Sequence, residues 1–144
     1  MTAAIDSLQA LKAQLETITI ANGYATDIGA VSIGRDALAV GSKSTLPIIT
    51  LTTVRDDPSA GGTMEAGGWL QTWTRTVEME LLVAGADGWE TALDIVWDDA
   101  RRALARYGKP LMLGSISFIP PSDGGEIASA VLQLTYSYTV DYSP

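Results

Sequence analysis

Two stretches of strict alternation set the frame for this chain. In Leu70–Val83, the residues Trp73, Arg75, Val77, Met79, Leu81 and Val83 alternate with Thr72, Thr74, Thr76, Glu78 and Glu80. In Ala128–Tyr142, the residues Leu132, Leu134, Tyr136, Tyr138, Val140 and Tyr142 alternate with Gln133, Thr135, Ser137, Thr139 and Asp141. A period of two marks a strand with one face on a core and one polar face. Fully extended, each stretch would span about 45–50 Å at about 3.3 Å per residue. A compact domain of this length has a radius of gyration of about 14–15 Å, hence a diameter of about 37 Å. Such strands must bend at bulges or run past the core. Strands that run past it expose edges and apolar side chains, which a folded protein hides in a partner. An oligomer is expected.

Between the two lies Asp87–Pro110, whose apolar residues Trp89, Ala92, Leu93, Val96, Ala100, Ala103, Leu104 and Tyr107 fall on one helical stripe. Asp87 stands at the N-cap position with Glu90 three residues on, and Gly108 and Pro110 supply a stop. Acidic Glu90, Asp94, Asp98 and Asp99 come early and Arg101, Arg102, Arg106 and Lys109 late, following the helix dipole. Each large side chain of the stripe gains about 1.5–3 kcal/mol on burial, so the helix needs a sheet to lie on.

The remaining elements are shorter. Ile5, Leu8, Leu11, Leu15 and Ile18 predict a first helix over Ile5–Ala21, stopped at Asn22-Gly23. Short strands are predicted at Ala30–Ile33 and Ser115–Ile119, and an interior strand at Leu46–Val54. Arg55–Gly68 holds four glycines, one proline and no large apolar residue except Met64. It reads as a mobile loop of functional length, with Asp56 and Asp57 in turns. The order α-β-β-β-α-β-β makes the fold class α+β, a single mostly antiparallel sheet with two helices packed on one face. The 144 residues fit one domain, 1–144.

Composition narrows the chemistry. With no His and no Cys, catalytic triads, zinc sites with the usual ligands and disulfides have no residues to form from. No phosphate-cradling glycine motif occurs, and no cofactor is called for. No apolar run approaches the length of a membrane span, and the first six residues lack the pattern of a secretory signal, so synthesis in a cytoplasm is expected. The net charge of −8 disfavours binding to the nucleic-acid backbone. Carboxylates remain. Asp94 and Asp98, with Asp99 beside them, read as a solvated helix face, with a metal pair as the functional counter-reading. Glu78 and Glu80 share one strand face and call for water or a basic partner. Trp73 and Trp89 read as core, whereas Trp69, at the hinge of the loop, and Trp97, one position off the stripe, are interface candidates. The tyrosine ladder of the last strand reads as core packing.

The succession of an N-terminal helix, Pro47-Ile48-Ile49-Thr50-Leu51, a glycine-rich loop and Thr76-Val77-Glu78-Met79-Glu80-Leu81 resembles the tail terminator (tail completion, minor tail protein U type) proteins of tailed bacteriophages. The helix Ala92–Leu104 and the close Ile127–Tyr136 continue the resemblance over most of the chain. It implies a structural virion protein and no enzyme: a ring, hexameric in the family, that caps the tail tube, halts polymerisation and faces the head-side connector. A heterologous contact with the right rotation closes such a ring. The loop with Arg55, Asp56, Asp57, Met64 and Glu65 would then order on the tube protein, and DNA would pass an acidic lumen without sticking. Alternatives are another head–tail connector or tube subunit, and a metal-dependent hydrolase built on Asp94, Asp98 and Glu78 or Glu80.

Overall fold

The computed structural model describes residues 3–34, 46–59, 70–122 and 125–143. Helix α1 (Ala3–Leu15) leads through a 3-10 turn (Ile20–Asn22) to strands β1 (Ala30–Ile33), β2 (Ile48–Pro58) and β3 (Leu70–Ala84). Helix α2 (Trp89–Ala105) and strands β4 (Met112–Ile119) and β5 (Ile127–Asp141) follow. The sheet has the order β1-β2-β3-β5-β4; β1 and β2 pair in parallel and every other pair is antiparallel. This is the expected α+β layer. No helix among the described residues is long and apolar enough to cross a membrane.

Both helices lie on one face. Their buried residues Leu8, Leu11, Leu15, Leu93, Val96, Ala100, Ala103 and Leu104 join one core cluster. That cluster takes Val77, Met79, Leu81 and Val83 from β3 and Ala128, Ala130, Leu132, Leu134 and Tyr136 from β5. The alternation in both strands dictates this, because a side-chain period of two sends all of these to the same side. On the opposite side Ile48 and Leu82 are buried with Ala30, Leu46 and Ile127 packed on them.

Apart from shifts of one or two residues at strand ends and at the start of α1, four boundaries differ from the sequence reading. Helix α1 ends at Leu15, not Ala21. The Thr17 hydroxyl donates to the Gln14 carbonyl at 2.6 Å, and Thr19 caps the separate 3-10 turn by accepting from Asn22 N at 3.1 Å. Ile18 still reaches the core as the chain turns away. Asp87 is not the N-cap of α2; Gly88, with φ +84°, takes that position without a side-chain bond. The Asp87-Gly88 pair belongs to the turn out of β3, which only a glycine closes cheaply at that φ. Strand β4 begins at Met112, three residues early, because a bulge between Leu113 and Ile116 resumes the pairing with β5. Finally, Arg55–Pro58 is strand and not loop. Met64, Glu65, Trp69 and the rest of 60–69 lie outside the described residues.

Gly85 closes the sheet's base. Its N–H donates to the Glu126 carbonyl at 2.8 Å. A Cβ there would stand 2.9 Å from Pro121 Cβ and 3.0 Å from Ile127 N, so backbone would have to move. Gly85→Ala is expected to cost about 1–2 kcal/mol through overpacking, read as a lowered melting temperature. An unchanged melt would show that this turn yields freely.

Candidate interface: a sheet that outruns its helices

The register of β3 with β5 is unbroken over all its pairs, from Leu70↔Asp141 to Ala84↔Ile127. Neither strand bulges against the other, so β3 and β5 run on; β2 carries a bulge against β3 between Thr53 and Arg55, at the level where burial stops. Buried residues stop at Thr76 in β3, at Tyr136 in β5 and at Leu51 in β2. Beyond them, Thr52–Pro58, Leu70–Arg75 and Ser137–Asp141 form a three-stranded ribbon with no fully buried residue. Its outer edges have no strand partner among the described residues. β1 pairs with β2 only as far as Leu51, and β4 pairs with β5 only as far as Thr135.

The ribbon's two faces differ in chemistry. Asp56, Arg75 and Tyr136 stand in one transverse row, and Pro58, Trp73 and Tyr138 in the next. Arg75 binds Asp56 with both ends of its fork, Nε to Oδ1 at 2.7 Å and the terminal nitrogen to Oδ2 at 2.8 Å. The Tyr138 hydroxyl donates to the same Oδ2 at 2.9 Å, and the guanidinium lies 5.6 Å from the Tyr138 ring centre. This planar, bidentate match is the reason arginine serves here where lysine would not. The other face carries hydroxyls, with Thr72 and Thr139 at 3.0 Å and Ser59 and Thr74 at 3.2 Å.

Electrostatics follow the geometry. Hydrogen bonds from Arg75 hold the Asp56 carboxyl below its ordinary value, burial works against them, and the Tyr138 bond adds to the lowering. The same bond raises Arg75. Burial pushes the Tyr136 phenol up to about 12 and also raises Tyr107 and Tyr138. A depressed carboxylate contributes stability above its unfolded pKa of about 3.9 and loses it as pH falls through the folded value. Asp56→Asn is therefore expected to cost about 1 kcal/mol at pH 7, discounted for partial exposure. The gap to the wild type should narrow below pH of about 4, in paired thermal melts at pH 7 and pH 3. A gap that stays constant would show that the ion pair does not hold the ribbon.

The residues singled out from sequence scatter. Arg55, Asp56 and Asp57 come together on the β2 part of the ribbon, in a strand and not in turns; Arg55 pairs with Asp57 at 3.0 Å. Glu78 and Glu80 are half-buried on the sheet face away from the helices, in register with Gln133 and Val131. Trp97 is partly buried against the core with Arg101 over its ring at 5.1 Å. Trp89 packs on the core as expected, but Trp73 is half-buried in the ribbon and Tyr142 is 55% exposed. Asp94 and Asp98 are exposed on α2 with the sheet between them and both Glu78 and Glu80, so the four do not form one site. No metal-holding carboxylate group occurs among the described residues.

Asp99 does not belong to a solvated face: it is 0% exposed. It accepts from Ala25 N at 3.1 Å, Thr26 N at 2.9 Å and the Thr26 hydroxyl at 2.6 Å. Sequence reasoning also passed over Arg75. A lone cation on the apolar side of an alternating strand requires a carboxylate opposite it, and that signal was present. Compared with models of known protein families and with curated proteins, the chain matches none.

Proposed function

We propose that this chain is a ring-forming structural protein of a phage virion, capping the tail tube and joining it to the head. The observation that carries this reading is the ribbon. Three strands run on past the helices that cover the rest of the sheet, with both outer edges lacking a strand partner among the described residues. Unpaired edges on a projecting sheet are templates for another chain. Identical copies supply them at the lowest cost in distinct surfaces, and a heterologous contact closes into a ring when its rotation divides the circle. The sequence resemblance favours six copies at the head-proximal end of a tail. The net charge of −8 suits a lumen through which DNA slides without adhering. No catalytic role is assigned.

The test is functional. Purified protein added to polymerising tail-tube subunits should halt growth and appear in electron micrographs as one ring at one end of each tube. Tubes that grow to the same length with and without it would overturn the reading. Co-assembly along the whole tube would make the chain a tube subunit instead.

A further inference from the structure

Two stretches of outer edge differ in character: β4, and the part of β2 that runs on beyond its pairing with β1. β4, the outer strand beside β5, reads Met-Leu-Gly-Ser-Ile-Ser-Phe-Ile, without a charge or a proline. None of its residues is fully buried, and Met112, Leu113, Phe118 and Ile119 are 76%, 43%, 42% and 47% exposed. The outer edge of β2, by contrast, carries Arg55, Asp56, Asp57 and Pro58, the residues that discourage edge pairing. A bare apolar edge of eight residues is what a protein keeps only where something covers it.

Charge says what the cover is. Beside β4, Phe118 and Trp89 floor a cleft of about 350 Å³ whose other lining residues are the exposed carboxylates Glu90 and Asp94, in the first turns of α2. The chain has nine lysines and arginines, and four of them, Arg101, Arg102, Arg106 and Lys109, fall within nine residues at the far end of that helix. Arg102 and Arg106 stack on Tyr24 at 5.4 and 5.1 Å, and Arg102 donates to the Gly23 carbonyl at 3.3 Å. They therefore stand against the segment that leads into β1, where Ile20 is 61% exposed. β1 and β4 are the opposite outer strands of the sheet. On that flank Arg102 also pairs with Asp99 at 3.7 Å and Asp27 accepts from Ile20 N at 2.8 Å, so its outward positive charge centres on the exposed Arg106. An acidic cleft beside an apolar edge lies on one side of the molecule, and Arg106 with an exposed isoleucine on the other.

We propose that the β4 edge with its Glu90–Asp94 cleft receives the Ile20–Arg106 flank of a second copy of this chain, head to tail. This rests on the ring reading and names its contact. The two patches differ, so the contact is heterologous and repeats around an axis. Apolar burial supplies adhesion, and the carboxylates facing Arg106 set register and reject the wrong flank.

Two charge-reversed variants test it: Glu90→Arg with Asp94→Arg, and Arg106→Glu. The three positions are exposed, so each variant should melt near the wild type. Alone, each brings like charges together and should need about tenfold more protein, or higher still, to assemble. Mixed in equal amounts, the reversed flank of one fits the reversed cleft of the other. Native mass measurement should then show mixed rings with the two variants in equal number. If the wild type forms rings and both variants form them equally well, this contact is wrong and the ring reading stands. Well-folded variants that fail singly and also fail when mixed would overturn the pairing as well. A wild type that never self-associates would overturn both.

Discussion

Replacing Asp99 with alanine is expected to lower stability by about 3 kcal/mol, a fall of about 10 °C in melting temperature. The carboxylate is 0% exposed and is the acceptor for two backbone N–H groups and one hydroxyl in the Ala25–Thr26 segment. Removing it leaves those part-buried donors, and the Arg102 guanidinium 3.7 Å away, without their carboxylate, and a donor left unsatisfied costs about 1–3 kcal/mol where water does not reach it. Asp99→Asn keeps one acceptor oxygen and should lose about half as much. Its neighbour is the control. Asp98 is exposed and pairs with Arg101 at 3.4 Å on the helix surface, so Asp98→Ala should stay within about 0.5 kcal/mol of the wild type. Equal melts for the alanine variants of Asp98 and Asp99 would refute the role of Asp99 as the tie between α2 and the chain entering β1.

Leu93→Ala is expected to cost about 3 kcal/mol, within the 2–5 kcal/mol usual for a buried leucine. Leu93 is 0% exposed in the cluster that joins α2 to the sheet, where a missing isobutyl group leaves a cavity. Met112→Ala at the bare edge, where the side chain is 76% exposed, should leave the melt within about 0.5 kcal/mol. The contrast separates what holds one copy together from what joins copies. A Met112 variant that melts like the Leu93 variant would show that β4 belongs to the chain's own core.

The sequence showed most clearly what periodicity controls. β1 was legible residue for residue, and β3 and β5 to within about one residue, since a slip of one would turn every apolar side chain to the wrong face. The body of α2 was legible for the same reason. What failed depended on partners distant in sequence. Asp56-Asp57-Pro58 has the composition of a turn, and only Arg75 and Tyr138 across the sheet draw it into a strand. Pro58 is tolerated because the alternation that aims Ser59 N at Thr72 O turns the proline nitrogen outward, to the unpaired side. Asp99 looked like its exposed neighbours because helical position alone does not say which flank another segment will cover. Of the expected interface, Arg55, Asp56 and Asp57 share one ribbon, whereas Trp97 and the Glu78–Glu80 pair sit elsewhere.

The central claim is that this chain carries more sheet than its own helices cover, and that copies of itself complete the cover by closing in a circle. Sedimentation of the full chain over a hundredfold range of concentration, alone and with tail tubes, tests it most directly. The account predicts a shift from a light species to one discrete closed assembly, six copies by the resemblance, with no larger polymer. A single light species at every concentration and in both settings would contradict it.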